Sequence, residues 1–161
     1  MKWNKSEKDN MEGPKMAKTR FGQLVIGPPG AGKTTYVGAM TQMLRGMGRK
    51  VAIVNMDPAN ENMTYQPEVD VADLVRLEEV MDTMDLGPNG GLVYCMQFLL
   101  ENYSWLEGKL QALDPNTYLM IDCPGQVRTK KIEAVSTASK FESFSLENWC
   151  LILTSRWSFI Q

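Results

Sequence analysis

The chain has 161 residues, 43% of them apolar, and a formal charge of −2, which suits one domain with a real core and gives no electrostatic footprint for nucleic acid or an acidic membrane. It contains no histidine, which excludes His-based triads, His general bases and His metal ligands. Cys95, Cys123 and Cys150 are widely spaced and form neither a disulfide framework nor a zinc pattern, so a reducing compartment is expected.

Residues 1–20 hold six basic and three acidic side chains, almost no large apolar ones and no hydrophobic signal core. They are expected to form a disordered arm and not a secretory signal. Order is expected from Phe21. The run QLVIG (23–27) reads as a buried parallel strand ending in glycine. Tyr36, Val37, Met40, Leu44 and Met47 then share one helical face, and Gly48 is placed to stop that helix. VAIV (51–54) is apolar on both faces and reads as a second buried strand, so the two strands and their helix predict a right-handed βαβ unit. Residues 57–69 hold two prolines and several Asn and Asp residues and read as a loop.

Leu74, Leu77, Val80, Met81 and Met84 predict a short helix. The stretch Gly87, Pro88, Asn89, Gly90 and Gly91 separates it from a long amphipathic helix. There Leu92, Met96, Leu99, Tyr103, Leu106, Leu110 and Leu113 advance by alternating steps of four and three, with Gly108 a mild cost inside. The stripe reads first as core packing and second as a helix–helix partner surface. TYLMID (117–122) is a third buried strand, ending in an aspartate. No apolar run approaches the length of a membrane span, and Trp149–Leu153 is only strand-sized.

The chemistry begins between the first strand and the first helix. GPPGAGKT (Gly27 to Thr34) satisfies G-x-x-x-x-G-K-[ST] with the strand before it and the helix after it that a P-loop requires. Its glycines let the backbone wrap phosphates, with N–H groups and a helix N-terminus turned toward negative charge. Gly30, Ala31, Gly32, Lys33, Thr34 and Thr35 are the expected nucleotide contacts. Lys33 carries the cation for the β- and γ-phosphates, and the Thr34 hydroxyl is a ligand for Mg²⁺. In IDCPGQ, Asp122 ends a buried strand at the rim of the sheet, within reach of the Mg²⁺ shell. Pro124 and Gly125 turn the chain so that a backbone N–H meets the γ-phosphate and Gln126 orients a water. Asp57 follows the second strand onto the same rim. It reads equally as a Mg²⁺ ligand or water-orienting carboxylate and as an Asx turn before Pro58. Taken alone, the Gly-Pro-Asn stretch reads as a plain turn, although Pro88 stiffens it and Asn89 offers two donors without charge.

The spans FGQLVIGPPGAGKTTY, VNMDPANEN, LGPNGGLVYCM and IDCPGQV, in this order between Phe21 and Val127, resemble the GPN-loop GTPases, within them most the type 2 branch of eukaryotes. The resemblance implies an α/β P-loop NTPase with a mainly parallel sheet flanked by helices, GTP and Mg²⁺ as ligands, and hydrolysis of GTP. It further implies a homodimer, or a heterodimer with a GPN-loop paralogue, in which Gly87, Pro88 and Asn89 enter the partner's active site and Asn89 stabilises the departing phosphate. Asn89, Gln126 and Asp57 are then the catalytic residues, and Thr34, Asp57 and Asp122 the metal ligands. The implied role is assembly and nuclear import of RNA polymerase complexes, through polymerase subunits or assembly factors, by a largely cytoplasmic protein that shuttles to the nucleus. No direct contact with nucleic acid or membrane is expected.

Residues 128–161 depart from that pattern. Arg128 stands where the family carries a glutamate, and no [NST]-K-x-D follows to read guanine. The expected organisation is an arm (1–20), a GTPase core (21–127) and a divergent tail (128–161), with the fold incomplete at the C-terminus and base discrimination weak. Two rival readings are a catalytically weak nucleotide-binding isoform acting as a binding module, and a small-molecule P-loop kinase. The second needs lid arginines, and residues 84–116 contain none.

Overall fold

The computed structural model describes residues 20–60 and 63–125, together with the backbone of 149–153. The expectations for the N-terminal arm, for Gln126 and Arg128, and for the tail apart from 149–153 lie outside the described residues. Five strands form one sheet: β1 (Gly22–Ile26), β2 (Val51–Asn55), β3 (Val69–Asp70), β4 (Tyr118–Asp122) and β5 (Trp149–Leu153). They lie in the order β3-β2-β4-β1-β5, and every pairing is parallel. The strand-sized run at 149–153 thus pairs along β1, with Leu153 level with Ile26. The first two strands, expected as one βαβ unit, are not neighbours, because β4 runs between them.

Alternation along the strands explains why both faces are apolar. Val25, Val51, Ile53 and Met120 turn to one face and pack with Val37 and Leu44 of α1 (Lys33–Gly46). Ala52, Val54, Leu119 and Ile121 turn to the other. That second face is covered by α2 (Leu77–Met84), α3 (Pro88–Glu101) and α4 (Tyr103–Ala112). A parallel sheet sandwiched in this way needs continuous apolar strands, as found here.

Three elements differ from expectation. The long helix is two. Asn102 ends α3 with both its backbone N–H (3.0 Å) and its side-chain Nδ2 (2.9 Å) donating to the Phe98 carbonyl. The chain then restarts at Tyr103, and the apolar stripe survives the break. Leu92, Met96, Leu99, Tyr103, Leu106 and Leu110 are all buried in the core, with Leu113 packed against it. The stripe therefore packs inside the chain, as its first reading held. The short helix starts at Leu77, three residues later than its first apolar position, because Val71–Asp73 form a 3₁₀ turn capped by the Asp70 carboxylate, which accepts from the Ala72 N–H. Finally, the Gly-Pro-Asn stretch is not a free loop. Gly87 is the N-cap of α3 and Pro88 its first residue, a position where proline's missing N–H costs nothing and its fixed φ suits the helix.

Candidate functional site

The C-terminal ends of β1, β2 and β4 meet at one rim. Asn55 and Val25 are both in register with Asp122, so the segments that leave these strands converge there. The P-loop leaves β1 and enters α1. Gly30 (φ 71°) and Gly32 (φ 80°) take left-handed backbone conformations, which side chains disfavour and which turn the loop back on itself. Ala31 N–H donates to the Pro28 carbonyl at 3.2 Å. The Lys33 ammonium donates to the same carbonyl at 3.1 Å and is only 7% exposed, so the loop's cation is held against its own backbone.

Gly125 closes the loop from the side of β4. A Cβ there would lie 2.7 Å from Lys33 Nζ and 2.8 Å from the Pro29 nitrogen, closer than any real side chain approaches. Only glycine lets the segment after Asp122 lie directly on the P-loop.

A cleft of about 400 Å³ opens above these residues. Gly30, Gly32, Lys33, Thr34, Thr35 and Asp57 line it, with Gly125 beside them. Pro88 borders the same cleft with Leu77 and Leu92, which puts the start of α3 at the mouth of the chain's own P-loop. Ala31, Gly87 and Asn89 are not among the lining residues. Gly87 and Asn89 are exposed, and Ala31 is partly so.

Asp57 forms the Asx turn considered for it and stays at the rim. Its Oδ1 accepts from the Ala59 N–H at 3.0 Å in an Asx turn, and its side chain still borders the cleft. Burial pushes its carboxyl above the ordinary range and the charge of Asp122 adds to this, while the Ala59 N–H and Lys33 oppose it.

Asp122 lies beneath, 1% exposed. Its Oδ2 accepts from the Tyr65 hydroxyl at 2.6 Å and from Asn60 Nδ2 at 3.5 Å. Its Oδ1 has no hydrogen-bond partner among the described residues. Asn60 Nδ2 also lies 3.4 Å from Thr34 Oγ1 and 3.5 Å from Asn55 Oδ1. One amide thus spans the oxygens of the P-loop threonine and the β4 aspartate. Burial, and then the bond to Asp122, push the Tyr65 hydroxyl well above its ordinary value, so it stays a donor at physiological pH. Cys123, buried next to Asp122, is pushed up by burial and remains a thiol.

These residues fit a small, hard divalent cation. A buried carboxylate oxygen without a donor, a hydroxyl one amide away and a carboxylate on the cleft wall are oxygen ligands of the type Mg²⁺ takes. That ion keeps waters and substrate phosphates in its shell and needs no all-protein cage. Among the described residues no cluster of three or more His, Cys, Asp or Glu forms such a cage.

Asn60 and Tyr65 were missed by sequence reasoning. Both lie in the Asn- and Pro-containing loop after β2, and the only local hint was a single aromatic residue in a polar segment. Their partner, Asp122, stands 57 residues beyond Tyr65.

A family model described as "Conserved hypothetical ATP binding protein" matches residues 25–155. The chain is 58% identical over 107 residues to "GPN-loop GTPase QQT1" of Arabidopsis thaliana, covering 66% of this chain and 36% of that one. It is 58% identical over 108 residues to "GPN-loop GTPase 2" of Danio rerio, covering 67% and 34%. The chain belongs to the GPN-loop GTPase family. It spans about a third of the length of these GPN-loop GTPases. The crystal structure of a GTPase in apo form from Pyrococcus abyssi is similar at 36% identity and a TM-score of 0.59, covering 69% of this chain and 44% of that one. A P-loop GTPase fold follows from the sheet, the loop and this neighbour together. The family match runs to residue 155, past Val127, where the motif resemblance ends. Among the described residues no helix is long and apolar enough to cross a membrane.

Proposed function

We propose that this GPN-loop GTPase chain binds Mg²⁺ and GTP in the cleft above its P-loop and hydrolyses the γ-phosphate within a dimer. The observation that carries the reading is the convergence of Lys33, Thr34, Asp57 and Gly125 on one cleft, with Asp122 buried at the same rim. Lys33 neutralises β- and γ-phosphate charge, and the P-loop N–H groups cradle the phosphates. Thr34, Asp57 and Asp122 would hold a metal ion, which when bound would offset charge developing on the phosphate oxygens. Asp57, on the cleft wall with its carboxyl pushed up, and Gln126 orient the attacking water.

Asn89 is exposed in the first turn of α3, which supports a role across a dimer interface at a partner's departing phosphate. The resemblance to the family supports a homodimer or a paralogue heterodimer. It also supports a role in RNA polymerase assembly and nuclear import, by a cytoplasmic protein that shuttles to the nucleus.

Mixing two full-length variants tests this. Asn89→Ala should leave nucleotide affinity nearly intact, because the amide acts as the phosphate departs. Lys33→Ala should disable the P-loop it belongs to. Combined, the Asn89→Ala subunit keeps a P-loop served by the other subunit's Asn89, so GTPase activity should return. A mixture as inactive as its components would show that Asn89 does not act in trans.

A further inference from the structure

The loop after β2 reaches past the cleft and lies on α1. A Cβ at Gly38, in the middle of α1, would sit 2.9 Å from Thr64 Oγ1 and 3.7 Å from the Tyr65 ring. The bare helix surface at Gly38 therefore leaves room for the Thr64 hydroxyl, with the Tyr65 ring beside it. The Tyr65 ring also packs against the α1-side core cluster with Tyr36 and Met40. So seated, its hydroxyl reaches Asp122 Oδ2 at 2.6 Å. The other oxygen, Oδ1, is buried and has no hydrogen-bond partner among the described residues.

We infer that Tyr65 is a positioning residue for the cation site: it fixes the Asp122 carboxylate by one oxygen and so leaves the other to the metal ion. The inference rests on the reading of the cleft as a magnesium–nucleotide site. A carboxylate with two free oxygens turns about its terminal torsion, and a bound cation must then stop that motion. A hydroxyl donor already holding Oδ2 removes this cost in advance. Hydrogen bonds behind a metal ligand act in this way, and their loss typically weakens the metal by about ten- to a hundredfold. Asn60 Nδ2 lies 3.5 Å from the same oxygen and 3.4 Å from Thr34 Oγ1, so the carboxylate that Tyr65 holds is close to the P-loop threonine.

The test is manganese binding, followed by electron paramagnetic resonance on the full chain loaded with GDP. Tyr65→Phe keeps the ring and removes only the hydroxyl. It should weaken manganese by about ten- to a hundredfold while GDP affinity in EDTA stays within about twofold of wild type. Three results would overturn the proposal: manganese affinity in Tyr65→Phe within about twofold of wild type, an equal loss of GDP affinity in EDTA, or an unfolded Tyr65→Phe chain. A wild-type chain with no nucleotide-dependent manganese signal would remove the reading of the cleft itself, and this proposal with it.

Discussion

Gly125 shows how little space the site leaves. Its α-carbon faces Lys33 Nζ and the Pro29 backbone at distances that leave no room for a methyl group. Lys33 could swing aside, but Pro29 is main chain and cannot yield without moving the P-loop. Gly125→Ala should therefore displace the phosphate-binding loop. Overpacking at a tight site costs about 1–3 kcal/mol. If that strain is relieved only by moving the loop, nucleotide affinity should fall roughly ten- to a hundredfold. Equilibrium binding of a fluorescent GTP analogue measures it, with circular dichroism as the control for folding. Affinity equal to wild type would mean that the loop absorbs the methyl group and that this contact does not shape the site.

The helices on the second face show what a period can and cannot reveal. Leu106 of α4 is buried on the stripe that continues from α3. Leu106→Ala should lower unfolding stability by about 2–5 kcal/mol. Met47, on the α1 stripe but exposed just beyond that helix, should cost under about 0.5 kcal/mol when replaced by alanine. Urea unfolding of the two variants side by side checks the contrast, and equal losses would contradict the packing described. The alternation of fours and threes made the buried face legible in the sequence. The interruption at Asn102 was not, because asparagine is an ordinary residue on a helix surface. Only the side chain's return to the Phe98 carbonyl turns it into a stop. The start of α3 was legible in principle. Proline is favoured at the first helical position, but five turn-forming residues in a row favoured a loop. The two-residue strand β3 has no period of its own and exists only through its pairing with Val54 and Asn55 of β2.

For the whole molecule, strand order decides the site. By placing β4 between β1 and β2, the sheet brings Asp122 level with both Val25 and Asn55. The P-loop, the Asp57 turn and the Gly125 turn then share one rim, where ligands of α/β sheets bind. The three motif segments could each be read from sequence, and so could the chemistry of each. Which strands are neighbours could not, nor could the hold of Tyr65 on Asp122, since both depend on contacts between residues far apart in the chain. Nucleotide binding by this rim is the central claim. The most direct measurement is titration of a fluorescent GTP analogue, with Mg²⁺ present, into the wild-type chain and the Lys33→Ala variant. Lys33 carries the cation held inside the P-loop, and loss of a charged hydrogen bond costs about 1.5–3 kcal/mol. Saturable binding by wild type, weakened about ten- to a hundredfold in the variant, is the predicted result. Equal binding by both chains, or none by wild type, would contradict the account.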